Sequence, residues 1–442
     1  MQAAMNSATS VRRSRRRYGR YGCVRAATRF FCASLVCAAF GTAGRVSAQT
    51  DATGLPDELQ EIPGLRADME TEELLDSAMG AVMAGRLEDG RRILLHVVRR
   101  EPEHLRALND LGFVYERLAE EARAELIDPG RAEHFVDQAV DTYSEAAALA
   151  VEAEEFGVAE QLYYRILMHR PARASALRGL ADVLAQTGRR LQAIGRYQDY
   201  IRTLEGRNDP LGFLELGRLY LAGDFWRQAL EALERAASLD DRNPEIDAVM
   251  AEAYLKGDRL DEALRAARQA TQKAPRQARY RDILAELELS RGDVEQAVIE
   301  ARRAIDYTRD QLADTPRDAR KLEALSRYYG TYERALRTIL AEGKANPAVR
   351  VDLARAFQEH AAIQRSLALT RALHVLTGAQ SIEREDPRLL EELASIQLAL
   401  SMEAEATASC RRLLAIEPAN TTAQKILEQI EAGRAGSREL RE

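Results

Sequence analysis

The chain has 442 residues, of which 46% are hydrophobic, 30% are charged and 6% are aromatic. An apolar fraction of this size is typical of a folded protein, which excludes wholesale disorder, a collagen-like chain and a multi-span membrane protein. The 63 basic and 70 acidic residues give a formal charge of −7, which does not favour binding to nucleic acid. Most of the chain consists of Ala, Leu, Arg and Glu, which are strong helix formers. The composition therefore predicts an all-α protein.

Residues 1–48 form a segment that differs from the rest of the chain. They contain nine arginines but no lysine and no acidic residue. A basic stretch is followed by an apolar run over residues 30–40 and by the small residues Val46-Ser47-Ala48. This order is typical of a secretory signal peptide, with cleavage predicted after Ala48. The apolar run is shorter than the roughly 20 residues that a membrane-spanning helix needs, so a permanent anchor is not expected.

Removal of this segment would change the charge and the cysteine content of the chain. From Gln49 onward there are 54 basic and 70 acidic residues, which give a formal charge of −16. Three of the four cysteines lie inside the segment, and only Cys410 follows it. A mature chain with one thiol forms no internal disulfide and has to fold by packing alone. Residues 49–69 have prolines and glycines among scattered acids, and they are expected to form a flexible lead-in.

Prolines recur at a fixed spacing farther along the chain. Three pairs are each 31 residues apart, namely Pro244 and Pro275, Pro316 and Pro347, and Pro387 and Pro418. Proline is accepted in the first turn of a helix and just beyond its end, but not in its interior. Each interval therefore encloses two helices of about 13 residues joined by a short turn.

Small residues repeat inside these intervals. The unit that begins at Pro244 carries Ala251, Tyr254, Gly257, Ala263, Ala267 and Ala270. Related patterns begin near residues 174, 210 and 279, and another lies close to the C-terminus. The pattern resembles the tetratricopeptide repeat (TPR) family, which has small residues at the eighth and twentieth positions of a 34-residue unit. Two helices cross closely only where neither carries a bulky side chain, which gives the pattern a physical reason.

The resemblance implies that helical hairpins stack into a right-handed superhelix, an α-solenoid. We expect a repeat array over residues 70–432 with about nine to ten hairpins. The register is irregular at 116–139, where a helix continues or an extra one is inserted. It is irregular again at 350–383, where degenerate packing, a bend or a partner contact would explain the missing small residues. A capping helix is expected at 421–432 and a disordered tail at 433–442.

The sequence contains no recognisable catalytic or metal-binding motif. Its six histidines have neither an HExxH motif nor paired metal-ligand spacing. There is no glycine-rich phosphate loop and no GxSxG motif. Cys410 falls on a packing position of its predicted helix, and no segment outside the repeats is long enough for a catalytic domain. We therefore expect no enzyme activity, no cofactor and no bound metal.

The resemblance also identifies a candidate partner-binding groove. TPR proteins mostly bind peptides or partner subunits on the concave face, through the second, fifth, ninth and twelfth positions of each first helix. Mapped onto this chain, the groove contains Arg178, Asp182, Leu211, Leu214, Arg218, Leu221, Glu252, Arg279 and Asp282. Its three leucines, Leu211, Leu214 and Leu221, are expected to form an apolar floor, with charged residues on both sides. Such a surface suits an extended segment or an amphipathic helix.

One TPR subtype grips the carboxyl-terminal tails of chaperones and requires Lys and Asn at fixed first-helix positions. Here those positions hold Leu75 and Met79 in the first unit and Arg178 and Asp182 in a later one. A cytosolic co-chaperone of this subtype is therefore not expected.

Two functional interpretations remain open. The first is an exported, periplasmic or secreted scaffold or assembly factor, such as a component of an envelope, secretion or polysaccharide complex of a Gram-negative bacterium. It would bind a protein or peptide partner. The second is a cytoplasmic or organellar regulatory adaptor, in which the N-terminus is not a cleaved signal. In both, nucleic acid and anionic membrane surfaces are poor partners for the acidic chain.

The signal-peptide interpretation predicts that the mature protein begins at Gln49. Mass spectrometry of the protein purified from its own cells measures this directly. Recovery of the chain with Met1 and residues 2–48 intact would remove the export hypothesis and leave the adaptor interpretation.

Overall fold

The computed structural model describes residue 59 and residues 62–66, 68–124, 129–342, 347–380 and 386–439. Within these residues all regular structure is helical, with 18 α-helices, one 3-10 helix and no strand. The chain divides into two compact units, Met1–Pro102 and Glu103–Glu442. The predicted signal peptide and most of the predicted lead-in lie outside the described residues.

The first unit contains one described helical hairpin, formed by α1 (Thr71–Met83) and α2 (Leu87–Arg100). The two helices pack through Leu75 and Ala78 on α1 and Leu94 on α2, and all three side chains are fully buried. The hairpin matches the repeat unit that the sequence predicted at this position.

The second unit contains the other sixteen helices. They are α3 (Leu105–Ala124), α4 (Pro129–Glu152), α5 (Phe156–His169), α6 (Ala174–Gln186), α7 (Arg190–Arg202), α8 (Pro210–Ala222), α9 (Trp226–Leu239), α10 (Pro244–Lys256), α11 (Leu260–Lys273), α12 (Ala278–Arg291), α13 (Val294–Asp314), α14 (Ala319–Ala341), α15 (Pro347–Gln380), α16 (Pro387–Ala399), α17 (Glu403–Ile416) and α18 (Thr421–Glu439). Each helix packs against the next one along the chain, as expected of stacked hairpins.

The turns of the hairpins show the repeat length directly. Between α4 and α13, each turn from a first helix to a second helix contains one residue in the left-handed region. These residues are Glu154, Gly188, Asp224, Asp258 and Gly292. Three of the four successive intervals are equal, and they match the TPR period of about 34 residues. The interval from Gly188 to Asp224 is longer, because the 3-10 helix Gly206–Asn208 is inserted there between α7 and α8.

The two helices of a regular hairpin cross at small residues. In α10 and α11, Ala251 and Ala263 occupy the eighth and twentieth positions of the unit that starts at Pro244, and both are fully buried. Ala285 and Ala297 are their equivalents in the next hairpin and are also fully buried. Because a methyl group extends little beyond the backbone, larger side chains fill the space on either side of the crossing. The predicted α-solenoid of helical hairpins is confirmed in the second unit.

The first two helices of the second unit, α3 and α4, are longer than the helices of the regular hairpins. α3 has 20 residues and α4 has 24. The irregular segment expected at 116–139 corresponds to the end of α3, which precedes the hairpin of α4 and α5, and to the beginning of α4. The helices approach closely at Gly112, where a Cβ atom would lie 2.5 Å from Cε1 of Tyr143. Arg165 holds that buried ring by donating a hydrogen bond of 2.7 Å to its hydroxyl oxygen.

Helices α13, α14 and α15 depart from the regular repeat, with 21, 23 and 34 residues. Their shared core contains Tyr328, Tyr329 and Tyr332 of α14, all of which are buried. The segment expected to be irregular, 350–383, lies almost wholly in α15, which is one continuous helix. Tyrosine rings fill the core between these three helices, whereas alanines lie at the crossing of a regular hairpin. The packing of α13, α14 and α15 therefore differs from that of the regular hairpins.

The last helices pack through fully buried small and apolar side chains, including Cys410 and Leu413 of α17 and Ala423 of α18. Burial raises the pKa of the Cys410 thiol, which favours its unreactive neutral form. α18 begins at Thr421, where the capping helix was expected. The expected disordered tail needs correction, because α18 continues to Glu439. The alanine, the arginines and the glutamates of this segment are good helix formers, which offsets its two glycines.

The close approach of α3 and α4 predicts opposite effects for two glycine substitutions. Gly112→Ala is expected to destabilise the protein by about 1–3 kcal/mol, because the new methyl group must displace the buried Tyr143 ring. Gly195→Ala is the matched control on α7, where a Cβ atom meets nothing within 4 Å. This variant is expected to gain about 0.5–1 kcal/mol from the better helix propensity of alanine.

Thermal and urea unfolding followed by far-ultraviolet circular dichroism measure both changes. A Gly112→Ala variant as stable as the wild type would contradict the close approach of the two helices.

Candidate partner-binding surface

The first helices of three successive hairpins, α8, α10 and α12, present equivalent positions one repeat apart. One row contains Leu211, Glu245 and Arg279, a second contains Arg218, Glu252 and Glu286, and a third contains Leu221, Leu255 and Leu289. These rows fall on the positions that the sequence analysis assigned to the groove. We call the side of α8, α10 and α12 that carries these nine positions the first-helix face.

Four charged residues of the first-helix face form one ion-pair network. Arg218 on α8 contacts Glu245 on α10 at 2.5 Å. Arg279 on α12 contacts the same Glu245 and also Glu252, the latter at 2.9 Å. Tyr280 donates a further hydrogen bond of 2.8 Å to Glu245. The structure thus brings together Arg218, Glu252 and Arg279, all predicted site residues, and links three hairpins through Glu245.

Burial and charge oppose each other in this network. Burial alone would raise the pKa of Glu245, but the guanidinium groups of Arg279 and Arg218 hold this pKa below its ordinary value. At Glu252 burial outweighs the attraction of Arg279, so the pKa of that carboxyl is raised. The side chains of Arg218 and Arg279 keep 28% and 27% of their surface exposed. The lowered pKa keeps Glu245 ionised at neutral pH. The side chains of Arg218 and Arg279, which surround it, remain partly exposed to solvent.

Arg178 and Asp182 lie on α6, in a separate polar cluster at the junction with α8. Arg178 donates to Oδ2 of Asp209 at 2.9 Å, and Asp209 also accepts from the backbone N–H groups that begin α8. Asp182 accepts a hydrogen bond from the hydroxyl of Tyr197, and burial raises the pKa of Asp182. The two residues lie on the expected helix, but their contacts hold neighbouring repeats together.

The expected apolar floor over residues 211–221 needs correction. Leu214 is 2% exposed and Leu221 is 6% exposed, because both pack in the core between α8, α9 and α10. Only Leu211, at 45% exposure, is available to a partner. The fifth and twelfth positions of this helix therefore serve packing, and the surface at α8 consists of Leu211 and Arg218.

Asp282 on α12 is buried rather than open to a groove. Its side chain accepts a hydrogen bond from Thr331 on α14, while Oδ1 has no hydrogen-bond partner in the described part of the chain. Burial and the nearby Glu286 raise the pKa of Asp282 to about 7, although Thr331, Arg327 and Arg334 work against the rise. Burial therefore favours the neutral form of this carboxyl in the folded protein.

A groove of about 430 Å³ lies between α10, α12 and α14. It is lined by Leu255, Glu286, Leu289, Ser290, Arg334, Arg337 and Thr338. Its volume falls within the range of about 300–1,000 Å³ that is usual for ligand sites. Arg334 and Arg337 were not predicted from the sequence, because the long helix α14 does not keep the regular small-residue pattern. The spacing of seven between Arg320, Arg327 and Arg334 was the available signal.

A smaller cavity of about 170 Å³ lies among α13, α14 and α15. Arg309 contacts Glu359 there at 2.9 Å, and the Tyr329 hydroxyl donates to the same carboxylate at 2.8 Å. These groups satisfy one another, so the cavity is part of the polar packing of the three long helices.

Ser326, His360 and Glu333 have the connectivity of a nucleophile, a base and an orienting acid. Ser326 Oγ lies 2.9 Å from His360 Nε2, and Glu333 Oε1 lies 2.8 Å from His360 Nδ1. However, Gln364 approaches the same Nε2 at 3.0 Å. Ser326 also lies in the interior of α14, where the backbone N–H groups are used by the helix and cannot stabilise an oxyanion. The three side chains therefore form a structural hydrogen-bond network between α14 and α15.

The described residues contain no cluster of three His, Cys, Asp or Glu side chains that could hold a metal ion. None of their helices combines the length and the apolar character needed to cross a bilayer.

The raised pKa of Asp282 makes a prediction about stability. An ordinary Asp has a pKa of 3.8, against about 7 for folded Asp282, so the unfolded chain loses this proton first as the pH rises. The Asp282 carboxyl should therefore reduce the stability of the wild type progressively from about pH 4 to about pH 7, with no further loss from this group above that range. Asp282→Asn avoids the loss, and its side-chain oxygen can still accept from Thr331.

Urea unfolding at pH values of about 4, 6 and 8 tests this, and the variant should gain a few kcal/mol over the wild type at the highest pH and little at the lowest. Asp241→Asn, at an exposed position, is the matched control and should change stability little at any pH. A stability difference for Asp282→Asn that does not vary with pH would contradict the raised pKa.

Similar solved structures include a MamA protein, with 18% identity and a TM-score of 0.37 over 40% of this chain and 94% of that chain. MamA from Desulfovibrio magneticus RS-1 has 16% identity and a TM-score of 0.37 over 39% and 96%. YrrB, a TPR protein with an unusual peptide-binding site, has 22% identity and a TM-score of 0.35 over 39% and 87%.

A family comparison covers the middle of the array. The tetratricopeptide repeat family model matches residues 219–287, from the end of α8 into α12. No curated protein matches the chain. The matched residues include the crossing of α10 and α11 at Ala251 and Ala263, where the repeat pattern is most regular. Residues 219–287 thus contain tetratricopeptide repeats.

Proposed function

We propose that this protein is an exported, non-enzymatic scaffold or assembly factor that binds a peptide segment or a partner subunit on the first-helix face. The observation that carries the proposal is the ion-pair network of Arg218, Glu245, Glu252 and Arg279. It places charged side chains from three hairpins side by side on one surface, in the positions where tetratricopeptide repeats bind partners.

The network favours binding because its side chains are already held in place. Arg279 contacts two carboxylates, and Glu245 accepts from two arginines and one tyrosine. Ordering a long side chain on binding costs roughly 0.5–1.5 kcal/mol, a cost that is reduced where the folded protein has ordered the side chain beforehand. Leu211 adds an exposed apolar contact at the edge of the same surface.

Support for export comes from the first 48 residues, which are rich in arginine, free of acid and followed by an apolar run and a small-residue site. A periplasmic or secreted chain with one buried cysteine is also consistent with an oxidising compartment. Such a protein would serve an envelope, secretion or polysaccharide complex. The alternative, a cytoplasmic or organellar adaptor, uses the same surface and differs only in the fate of the N-terminus.

The partner-binding proposal is tested by site-specific photo-crosslinking in the source cells. A photoreactive amino acid replaces Leu211 on α8, which is 45% exposed, or Leu191 on α7, which is 75% exposed. A partner on the first-helix face should crosslink from position 211 and not from the matched control at position 191. Leu211→Asp should then weaken binding of that purified partner about tenfold, the effect of losing one buried leucine contact.

Leu191→Asp should leave the affinity unchanged. Equal crosslinking from both positions, or an unchanged affinity for Leu211→Asp, would contradict partner binding on the first-helix face.

A further inference from the structure

We propose that the groove between α10, α12 and α14 binds an acidic peptide segment that also carries aliphatic side chains. We call this site the arginine groove and define it by Leu255, Leu289, Arg334 and Arg337, which line it. Arg327 lies two turns before Arg334 on the same side of α14 and flanks the groove. The inference rests on the proposed function, since it names the chemistry of the partner at one end of the same surface.

The basic side of the arginine groove is a regular stripe on α14. Arg320, Arg327 and Arg334 are spaced by seven residues, which is close to two helical turns, so they project from the same side of the helix. Arg337 lies one turn beyond Arg334. All four are exposed, and the side chains of Arg334 and Arg337 keep 58% and 59% of their surface accessible.

The arginines are positioned but retain donors for a ligand. Arg334 donates to Glu286 at 2.7 Å and to the Thr331 hydroxyl at 3.2 Å. Arg337 lies over the ring of Phe357 at 5.0 Å and is 3.9 Å from the carboxylate of Glu333, a long contact. Each guanidinium group has five N–H donors in a fixed plane, and these contacts leave several of them directed to solvent. A carboxylate can therefore bind without breaking the existing contacts.

The floor of the arginine groove is apolar. Leu255 on α10 is 39% exposed, so part of this aliphatic side chain is open to a ligand. Leu289 occupies the equivalent position of α12, in the next repeat, and lines the same groove. On the facing helix, a Cβ atom added at Gly330 would meet nothing within 4 Å, so the space between Arg327 and Arg334 is open. An extended chain can lie there with aliphatic side chains on the two leucines.

The composition of the groove favours a peptide over a nucleic acid. Its lining contains two arginines against one glutamate but no aromatic side chain, so it offers no ring on which a base could stack. The net charge of the chain is −7, which opposes the approach of a long polyanion. A short acidic segment with leucine-like side chains matches the positive charge of Arg334 and Arg337 and the apolar floor of the groove.

Fluorescence anisotropy with the full chain and labelled dodecapeptides tests the proposal. The probe alternates leucine with glutamate and is capped at both ends. One comparison peptide replaces glutamate with lysine, and another replaces leucine with serine. The probe should bind at least tenfold more tightly than either comparison peptide, and its affinity should fall as salt is raised, because its contacts are ionic.

Charge reversal in the groove provides the decisive comparison. The double variant Arg327→Glu/Arg334→Glu should bind the glutamate probe at least tenfold more weakly than the wild type does. It should bind the lysine peptide more tightly than the wild type does. A structural role alone would not produce this exchange of preference. The matched control Arg265→Glu/Arg411→Glu reverses two exposed arginines on α11 and α17 and should leave both affinities unchanged.

Circular dichroism verifies folding, and Leu255→Ser serves as a second variant if the double variant fails to fold. Leu255→Ser should lower the affinity for the probe severalfold without changing the salt dependence of that affinity.

Several outcomes would overturn the inference. They are failure of every peptide to bind, preference for the lysine or serine peptide, an unchanged probe affinity in the groove variants, and equal binding of a single-stranded oligonucleotide of the same length. None of these bears on whether a native partner crosslinks from position 211, so failure of this inference and failure of the proposed function can be told apart.

Discussion

The close approach of two helices at small residues is the constraint on which the rest of this structure depends. Ala251 and Ala263 are fully buried where α10 and α11 cross, and the next hairpin repeats the arrangement. A larger side chain at either position would separate the helices and alter the packing of the following hairpin. Because the crossing has the same geometry each time, equivalent positions return once in every repeat, and charged side chains on successive first helices meet in register.

The ion-pair network is a consequence of that register, and its formation removes charged side chains from water. Glu245 and Glu252 lose hydration as they pack between hairpins, and the network recovers this loss only while both arginines are present. A partly buried network of this kind specifies the relative placement of hairpins more than it adds to stability. It also separates two classes of position on the first-helix face, because Leu211 can change without disturbing the fold whereas Glu245 cannot.

The sequence was sufficient to predict the hairpins, the small-residue crossings and the beginning of the last helix, because these depend on local periodicity. It was not sufficient to decide which first-helix positions are exposed. Leu214 and Asp282 occupy groove positions by spacing, but residues from neighbouring helices cover them, and no local pattern encodes that coverage. Arg334 and Arg337 were missed for a related reason, since α14 follows the array without its small-residue pattern, and only the pairing of Arg334 with Glu286 reveals the orientation of this part of the helix.

The hairpin turns carry a consequence for the dynamics of the array. Glycine occupies the left-handed position at Gly188 and Gly292, whereas Asp224 and Asp258 adopt the same conformation with a side chain, at a penalty of roughly 1 kcal/mol each. In an array held together by nearest-neighbour contacts, such penalties lower the free energy of local opening at those hairpins. Amide hydrogens near Asp224 and Asp258 should thus exchange sooner than those near the glycine turns. A molecule that bridges α8 and α10 would slow that exchange. The exchange rates of the amides at these two turns would therefore indicate whether a partner is bound to the first-helix face.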